Sequence, residues 1–176
     1  MQQNVLQRIK KIKLTEIDRL DLRILCALQE NGRVSNKDLA ERVGLSASPC
    51  LVRVKRLEAA GLISRYMAVI EVRKLVESIT VLSLFYLKES DHRAARMLED
   101  YLSALPQLCE LYDVNGECDY IARFICRSTE DYAQIAAALL DTTYHVRQIA
   151  SYIVLKQLRG FSGVNLPHLL AERTAE

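Results

Sequence analysis

The chain has 176 residues, half of them hydrophobic and 26% charged, which is room for one globular domain or two small ones. Charged residues interrupt every apolar stretch before the ~18 residues a membrane span needs, so no membrane partner is expected. The net charge of +2 hides an asymmetry that points only the first half at a polyanion: residues 1–74 hold fifteen Lys/Arg against eight Asp/Glu, the remainder nine against fourteen.

Residues 1–13 form a basic tail without the apolar stretch or cleavage site of a signal peptide, which leaves a cytoplasmic location as the expectation. The first predicted helix covers 16–30, with Ile17, Leu20, Ile24, Leu25 and Leu28 at helical spacing. Asn31-Gly32 is expected to end it, with the glycine supplying a left-handed terminus. Ser35 caps a second helix that buries Leu39, Ala40 and Val43. Gly44 then supplies the positive φ of a tight turn. Ser46 caps a third helix that runs to about Ala60 and stops at Gly61. Its Leu51, Val54 and Leu57 should pack on the first helix. Ser48, Val52, Arg53 and Arg56 fall on the other side, with Lys55 near the rim. Two short helices, a glycine turn and a third helix make a helix-turn-helix; a helix N-terminus can meet phosphate, and the arginines can reach base edges or backbone. Pro49 fits the first turn. After Gly61, LISRYMAVIEV alternates enough for a two-stranded wing, with Arg65 as a candidate backbone contact.

The acidic half reads as β-α-β-β-α-β. Residues 79–87 form a strand, and a helix capped by Asp91 runs to Leu105 before Pro106. Strands 108–114 and 118–126 are joined through Asn115-Gly116, a strong hairpin dipeptide. Ser128 opens a second helix to about Leu140, and Val146–Leu158 is the last strand. This order is ferredoxin-like, one antiparallel sheet with both helices on one face. The other face would be bare in a monomer. Apolar residues there, among Val81, Leu84, Tyr86, Tyr112, Ile121, Ile153 and Leu155, predict sheet-mediated dimerisation.

Several motifs then fall into one ordered set: I-D-x-x-D-x-x-I-L at Ile17–Leu25, N-G-R-x-S at Asn31–Ser35, L-A-x-x-V-G-L-S at Leu39–Ser46 and P-C-L-x-R-V-x-R-L-E-x-x-G-x-I at Pro49–Ile63. Together they resemble the DNA-binding domain of the Lrp/AsnC family of feast/famine regulators. The resemblance implies that Ser48, Pro49, Arg53, Lys55 and Arg56 meet double-stranded DNA. Val52 departs from the family pattern, where that position is often charged or polar, so the target sequence is expected to differ. Val114-Asn115-Gly116-Glu117-Cys118-Asp119-Tyr120 resembles the hairpin of the family's effector-binding domain. Relatives hold amino acids or related metabolites in a cleft between subunits beside this turn. That resemblance offers Asn115, Gly116, Asp119, Tyr120 and Tyr152 as effector candidates, with backbone N–H groups for a carboxylate and Asp119 for an ammonium. Asp141–Val146 replaces the Leu-Pro-Gly-Val common in relatives, which adds polar side chains near the implied cleft.

The expected organisation is therefore a basic tail (1–13), a winged helix-turn-helix (14–64), wing and linker (65–77), a ferredoxin-like effector-binding and dimerisation domain (78–159) and a C-terminal tail (160–176). The functional expectation is a sequence-specific transcriptional regulator that responds to an amino acid, forms homodimers assembling to tetramers or octamers, and works at the nucleoid. The alternative is a ligand-independent, nucleoid-associated-like DNA binder with a vestigial effector site. An enzyme is the different-class alternative. No G-x-G-x-x-G, P-loop or paired metal-spaced histidines support it, the five cysteines form no C-x-x-C, and no cofactor or metal is expected. Removing Arg53 and Arg56 together is expected to leave the fold intact and abolish specific binding.

Overall fold

A computed structural model describes residues 17–88, 92–140 and 144–170. The basic tail 1–13, the Asp91 cap and the substituted turn residues 141–143 lie outside the described residues. The chain divides into two compact units, residues 1–69 with 160–176, and residues 70–159.

In the first unit, α1 spans Arg19–Glu30. Asp18 accepts the Asp21 N–H while the Asp21 side chain accepts the Asp18 N–H, a reciprocal cap that satisfies two orphan donors of the first turn. The helix ends where expected but not through Gly32. Asn31 is extended (φ −147°) and its side chain accepts the Arg33 N–H at 3.0 Å, so an Asx turn closes the end and Gly32 takes no left-handed φ. α2 (Asn36–Val43) is capped by Ser35 as predicted, and Gly44 adopts the left-handed φ of 78° between it and the next helix. α3 covers Ala47–Ala59, with Ser46 at its N-cap position but without a side-chain cap bond.

The core of this unit joins Ile24, Ala27, Leu39, Ala40, Val43, Cys50 and Leu57. The predicted inward stripe of α3 is out of phase by one residue at its start. Cys50 is fully buried and Leu51 is 42% exposed, because the face that meets the other helices runs through positions 50, 54 and 57. Residues 62–71 contain no strand, so the predicted two-stranded wing has no ladder pairing among the described residues. Tyr66 instead donates to Glu58 at 2.8 Å, and burial plus that carboxylate pushes its phenol up to about 12. The C-terminal tail returns to the same unit. The Gln29 side chain and Val164 backbone exchange two hydrogen bonds (2.8 and 3.2 Å), and α6 (Leu166–Leu170) packs on α1. Gly163 permits this: its φ is 97°, and a Cβ there would sit 2.7 Å from Gln29 Oε1.

The second unit is the predicted βαββαβ: β1 (Ile79–Leu87), α4 (His92–Ala104), β2 (Leu108–Asp113), β3 (Tyr120–Cys126), α5 (Thr129–Leu139) and β4 (Val146–Ile153). The sheet is antiparallel throughout, in the order β2-β3-β1-β4. Phe85, Tyr120, Ala122, Phe124 and Cys126 face α4 and α5, where Leu98, Leu102, Ile135 and Leu139 complete the core. The opposite face carries Leu84, Tyr86, Tyr112 and Ile121 as expected, and also Leu82 and Tyr152. Val81 is corrected: it is fully buried on the helix side, and Ile153, its cross-strand partner, shares that side. Leu155 lies beyond β4, which stops at Ile153 rather than Leu158 because the pairing by then has reached the start of β1. The β2–β3 connection is also longer than a tight Asn-Gly hairpin. Residues 114–119 form a six-residue loop in which Gly116 has no positive φ. His145, before β4, takes the left-handed φ of 52° that a glycine would adopt without cost.

Candidate nucleic-acid interface and effector site

Ser46, Ser48, Pro49, Val52, Lys55 and Arg56 are all exposed on or before α3, and Arg65 is exposed in the extended segment after it. Ser48, Val52 and Lys55 lie at i, i+4 and i+7, two residues behind the inward-facing Cys50, Val54 and Leu57. They therefore form the outermost ridge of the helix. Lys55 belongs to that ridge rather than to its rim. Arg53 and Arg56 lie on the flank nearer α1, where they share a shallow hollow with Asp18, Ser48, Pro49 and Val52.

That flank contains an ion-pair network absent from the sequence reading. Asp21 is completely buried and both its oxygens are taken by arginines: Oδ1 by Arg53 at 2.9 Å and Oδ2 by Arg56. Arg53 also reaches Asp18 at 2.7 Å. The Asp21 N–H, and after it the Arg53 guanidinium, hold the Asp18 carboxyl below its ordinary value. The two arginines are thus joints between α1 and α3 as well as cations of the surface, with side chains 26% and 50% exposed. Removing both would strand a buried carboxylate, which overturns the expectation that the fold would be indifferent to their loss. The signal was present in the I-D-x-x-D spacing, whose aspartates form the reciprocal cap and also pair with the α3 arginines.

The effector candidates separate in the structure. Asn115 and Gly116 are exposed in the 114–119 loop, and Gly116 has open space where a Cβ would stand. Asp119 accepts the Leu87 N–H at 2.7 Å, while its own N–H donates to Phe85 O at 2.9 Å, so it staples the loop to the end of β1. Tyr120 is buried on the helix side and donates to Glu99 at 2.7 Å. Burial, then the Glu99 carboxylate, pushes its phenol above the ordinary value. Tyr152 is 58% exposed on the opposite face. Tyr120 and Tyr152 therefore point to opposite sides of one sheet and do not line a common cleft within one chain. A hydroxyl chain from Ser83 through Tyr132 to Ser151 (2.7 and 2.5 Å) also joins β1, α5 and β4. Cys50 offers no nucleophile: it is buried in the core, which pushes its thiol up.

A helix-turn-helix unit with an exposed, cation-bearing third helix, followed by a βαββαβ unit with an uncovered apolar sheet face, defines a DNA-binding regulator with an appended second module. Residues 17–64 match the winged helix-turn-helix DNA-binding family, and residues 80–162 match the Lrp/AsnC ligand binding domain. The chain is 34% identical to the Bkd operon transcriptional regulator of Pseudomonas aeruginosa over 146 residues, covering 82% of this chain and 95% of that one. It is 30% identical to the leucine-responsive regulatory protein of Rhizobium meliloti over 144 residues, covering 82% and 92%. Among solved structures it is similar to a Neisseria meningitidis transcriptional regulator in complex with L-Met (TM-score 0.81, 29% identity, 88% of this chain and 99% of that chain). The chain belongs to the Lrp/AsnC family of DNA-binding transcriptional regulators.

Proposed function

We propose that this regulator binds specific double-stranded DNA sites through α3 and changes its affinity when an amino acid, or a related small metabolite, binds between subunits. The observation that carries the reading is the α3 surface: Ser48, Val52 and Lys55 stand outward on a helix that its arginines fix to α1. The amino-acid effector rests on the ligand binding domain match and on the L-Met complex of the Neisseria relative. No helix among the described residues is long and apolar enough to cross a membrane, and the proposed place of work is the cytoplasm, on the nucleoid.

The subunit arrangement is a homodimer that assembles further to a tetramer or octamer. The exposed Leu82, Tyr112 and Tyr152 on the uncovered sheet face support it, since an apolar sheet face is costly to leave in water. The effector candidates support a site completed by a second chain, because Tyr152 and the 114–119 loop cannot close around a ligand alone. The rival reading of a ligand-independent DNA binder is favoured by one observation, that Asp119 already serves the Leu87 N–H.

Thermal shift against the twenty amino acids tests the sensor. One of them should raise the melting temperature, by about 2.7 kcal/mol of stabilisation at a hundredfold excess over Kd. That shift should vanish in Asp119→Ala measured against its own ligand-free melt. No hit, or an undiminished shift in the variant, would overturn the proposed site.

A further inference from the structure

We propose that Val52 reads the 5-methyl group of thymine in the major groove and is the specificity-determining residue of α3. Both arginines that could take the O6 and N7 acceptors of guanine are bonded on the α1 side to Asp21, and Arg53 also to Asp18. Turning them fully toward base edges would leave Asp21, which has no solvent contact, charged and unpaired. They are positioning residues that set the pitch of α3 against α1, and the exposed half of Arg56 leaves it room to meet a phosphate.

The groups left facing the DNA are then Ser48, Val52 and Lys55 on the outer ridge. Val52 is the apolar one, 65% exposed and midway along the helix. A branched aliphatic group cannot donate or accept a hydrogen bond. The apolar feature that the major groove offers it is the thymine methyl, and cytosine and purines lack that group. Ser48 lies one turn before it and can pair with any base edge, while Lys55, one turn after, acts on phosphate as a point charge. The inference rests on the DNA-binding reading and deepens it by naming the base that α3 selects.

The test uses the full-length protein and a pool of random-sequence duplexes. Enrichment of a defined site establishes that the chain is sequence-specific. Single thymines of that site are then replaced by deoxyuridine, which keeps every hydrogen-bonding group and removes only the methyl. The proposal expects at least one thymine per half-site whose replacement weakens binding about fourfold, the worth of one buried methyl group. Val52→Ala should show less than a twofold effect at that same thymine. Lys55→Ala should weaken binding to all sequences and keep the fourfold effect. Val52 is exposed, so Val52→Ala should melt like the wild type. A site with no methyl-sensitive thymine, or sensitivity that survives in Val52→Ala, overturns the proposal while leaving DNA binding standing. Failure to enrich any site overturns sequence-specific recognition itself.

Discussion

Replacing Arg53 and Arg56 together by alanine should damage the fold of the first unit before it says anything about DNA. Asp21 has no solvent contact, and these two guanidiniums pair both of its oxygens. Removing one side of a buried ion pair costs about 3–5 kcal/mol, because the remaining charge stays desolvated. Against a total stability of roughly 5–15 kcal/mol, that is a large share. For a unit of this size it corresponds to a fall of about 15 to 30 °C in melting temperature. The opposite change is milder: Asp21→Asn leaves a half-exposed Arg56 that water can solvate and an Arg53 still paired with Asp18, for a loss of about 1–2 kcal/mol. The triple variant with Asp21→Asn added to the two alanines should recover at least about 2 kcal/mol, since no unpaired charge is left behind. Circular dichroism melts at one fixed protomer concentration measure all three. A double-alanine variant that melts within about 3 °C of the wild type would refute the reasoning.

The remaining predictions concern the caps, the sheet and pH. Ser35→Ala should cost about 1 kcal/mol in urea unfolding by releasing the Asp38 N–H, while Gly116→Ala, with open space and no positive φ, should stay within about 0.5 kcal/mol of wild type. His145→Gly should stabilise by about 1 kcal/mol by relieving a left-handed non-glycine residue; a loss of stability would show that its side chain does more than occupy the turn. Leu82→Glu with Tyr152→Glu, both exposed on the uncovered sheet face, should reduce the mass seen by light scattering to that of a monomer. Asp18 and Glu110 are held below their ordinary carboxyl values of 3.8 and 4.5, by the Asp21 N–H and by Arg123 respectively. Their folded forms bind protons less readily than their unfolded ones, so their stabilisation is complete above those values and is lost as pH falls through and below them. Acid titration of the melting temperature should therefore be flat near neutrality and fall below about pH 4, and a rise on acidification would contradict the assignment.

What could be seen in the sequence was local. Ser35, Gly44 and Ser128 occupy their expected capping and turn positions because a side-chain oxygen or a missing Cβ acts within three residues. The βαββαβ order followed from composition and turn residues for the same reason. The misses required knowing what lies across the fold. Cys50 and Leu51 are both apolar neighbours, and only the direction of α1 and α2 decides which of them is inside. Val81 and Leu82 differ by one residue of register, which exchanges the two faces of the sheet. Asn115-Gly116 is a strong hairpin signal, yet the bonds from the Asp119 region to Phe85 and Leu87 hold a wider loop. Asp21 looked like a surface charge on an amphipathic helix, and its arginines stand 32 and 35 positions away. The α3 residues do lie together on the exposed side of the helix, but only the ion pairs show that Arg53 and Arg56 also join α3 to α1.

The central claim is that one chain couples a DNA-reading helix to an amino-acid site. It is tested most directly by measuring the affinity for the enriched duplex and a scrambled duplex by fluorescence anisotropy, with and without the amino acid that shifts the melt. Binding to the enriched site is expected to be about 10³-fold or more tighter than to the scrambled one at physiological salt. The coupling of the two sites predicts a change of about 5- to 150-fold in that affinity when the amino acid is added. Equal affinity for the two duplexes, or an enriched-site affinity unmoved by the saturating amino acid, would contradict the claim.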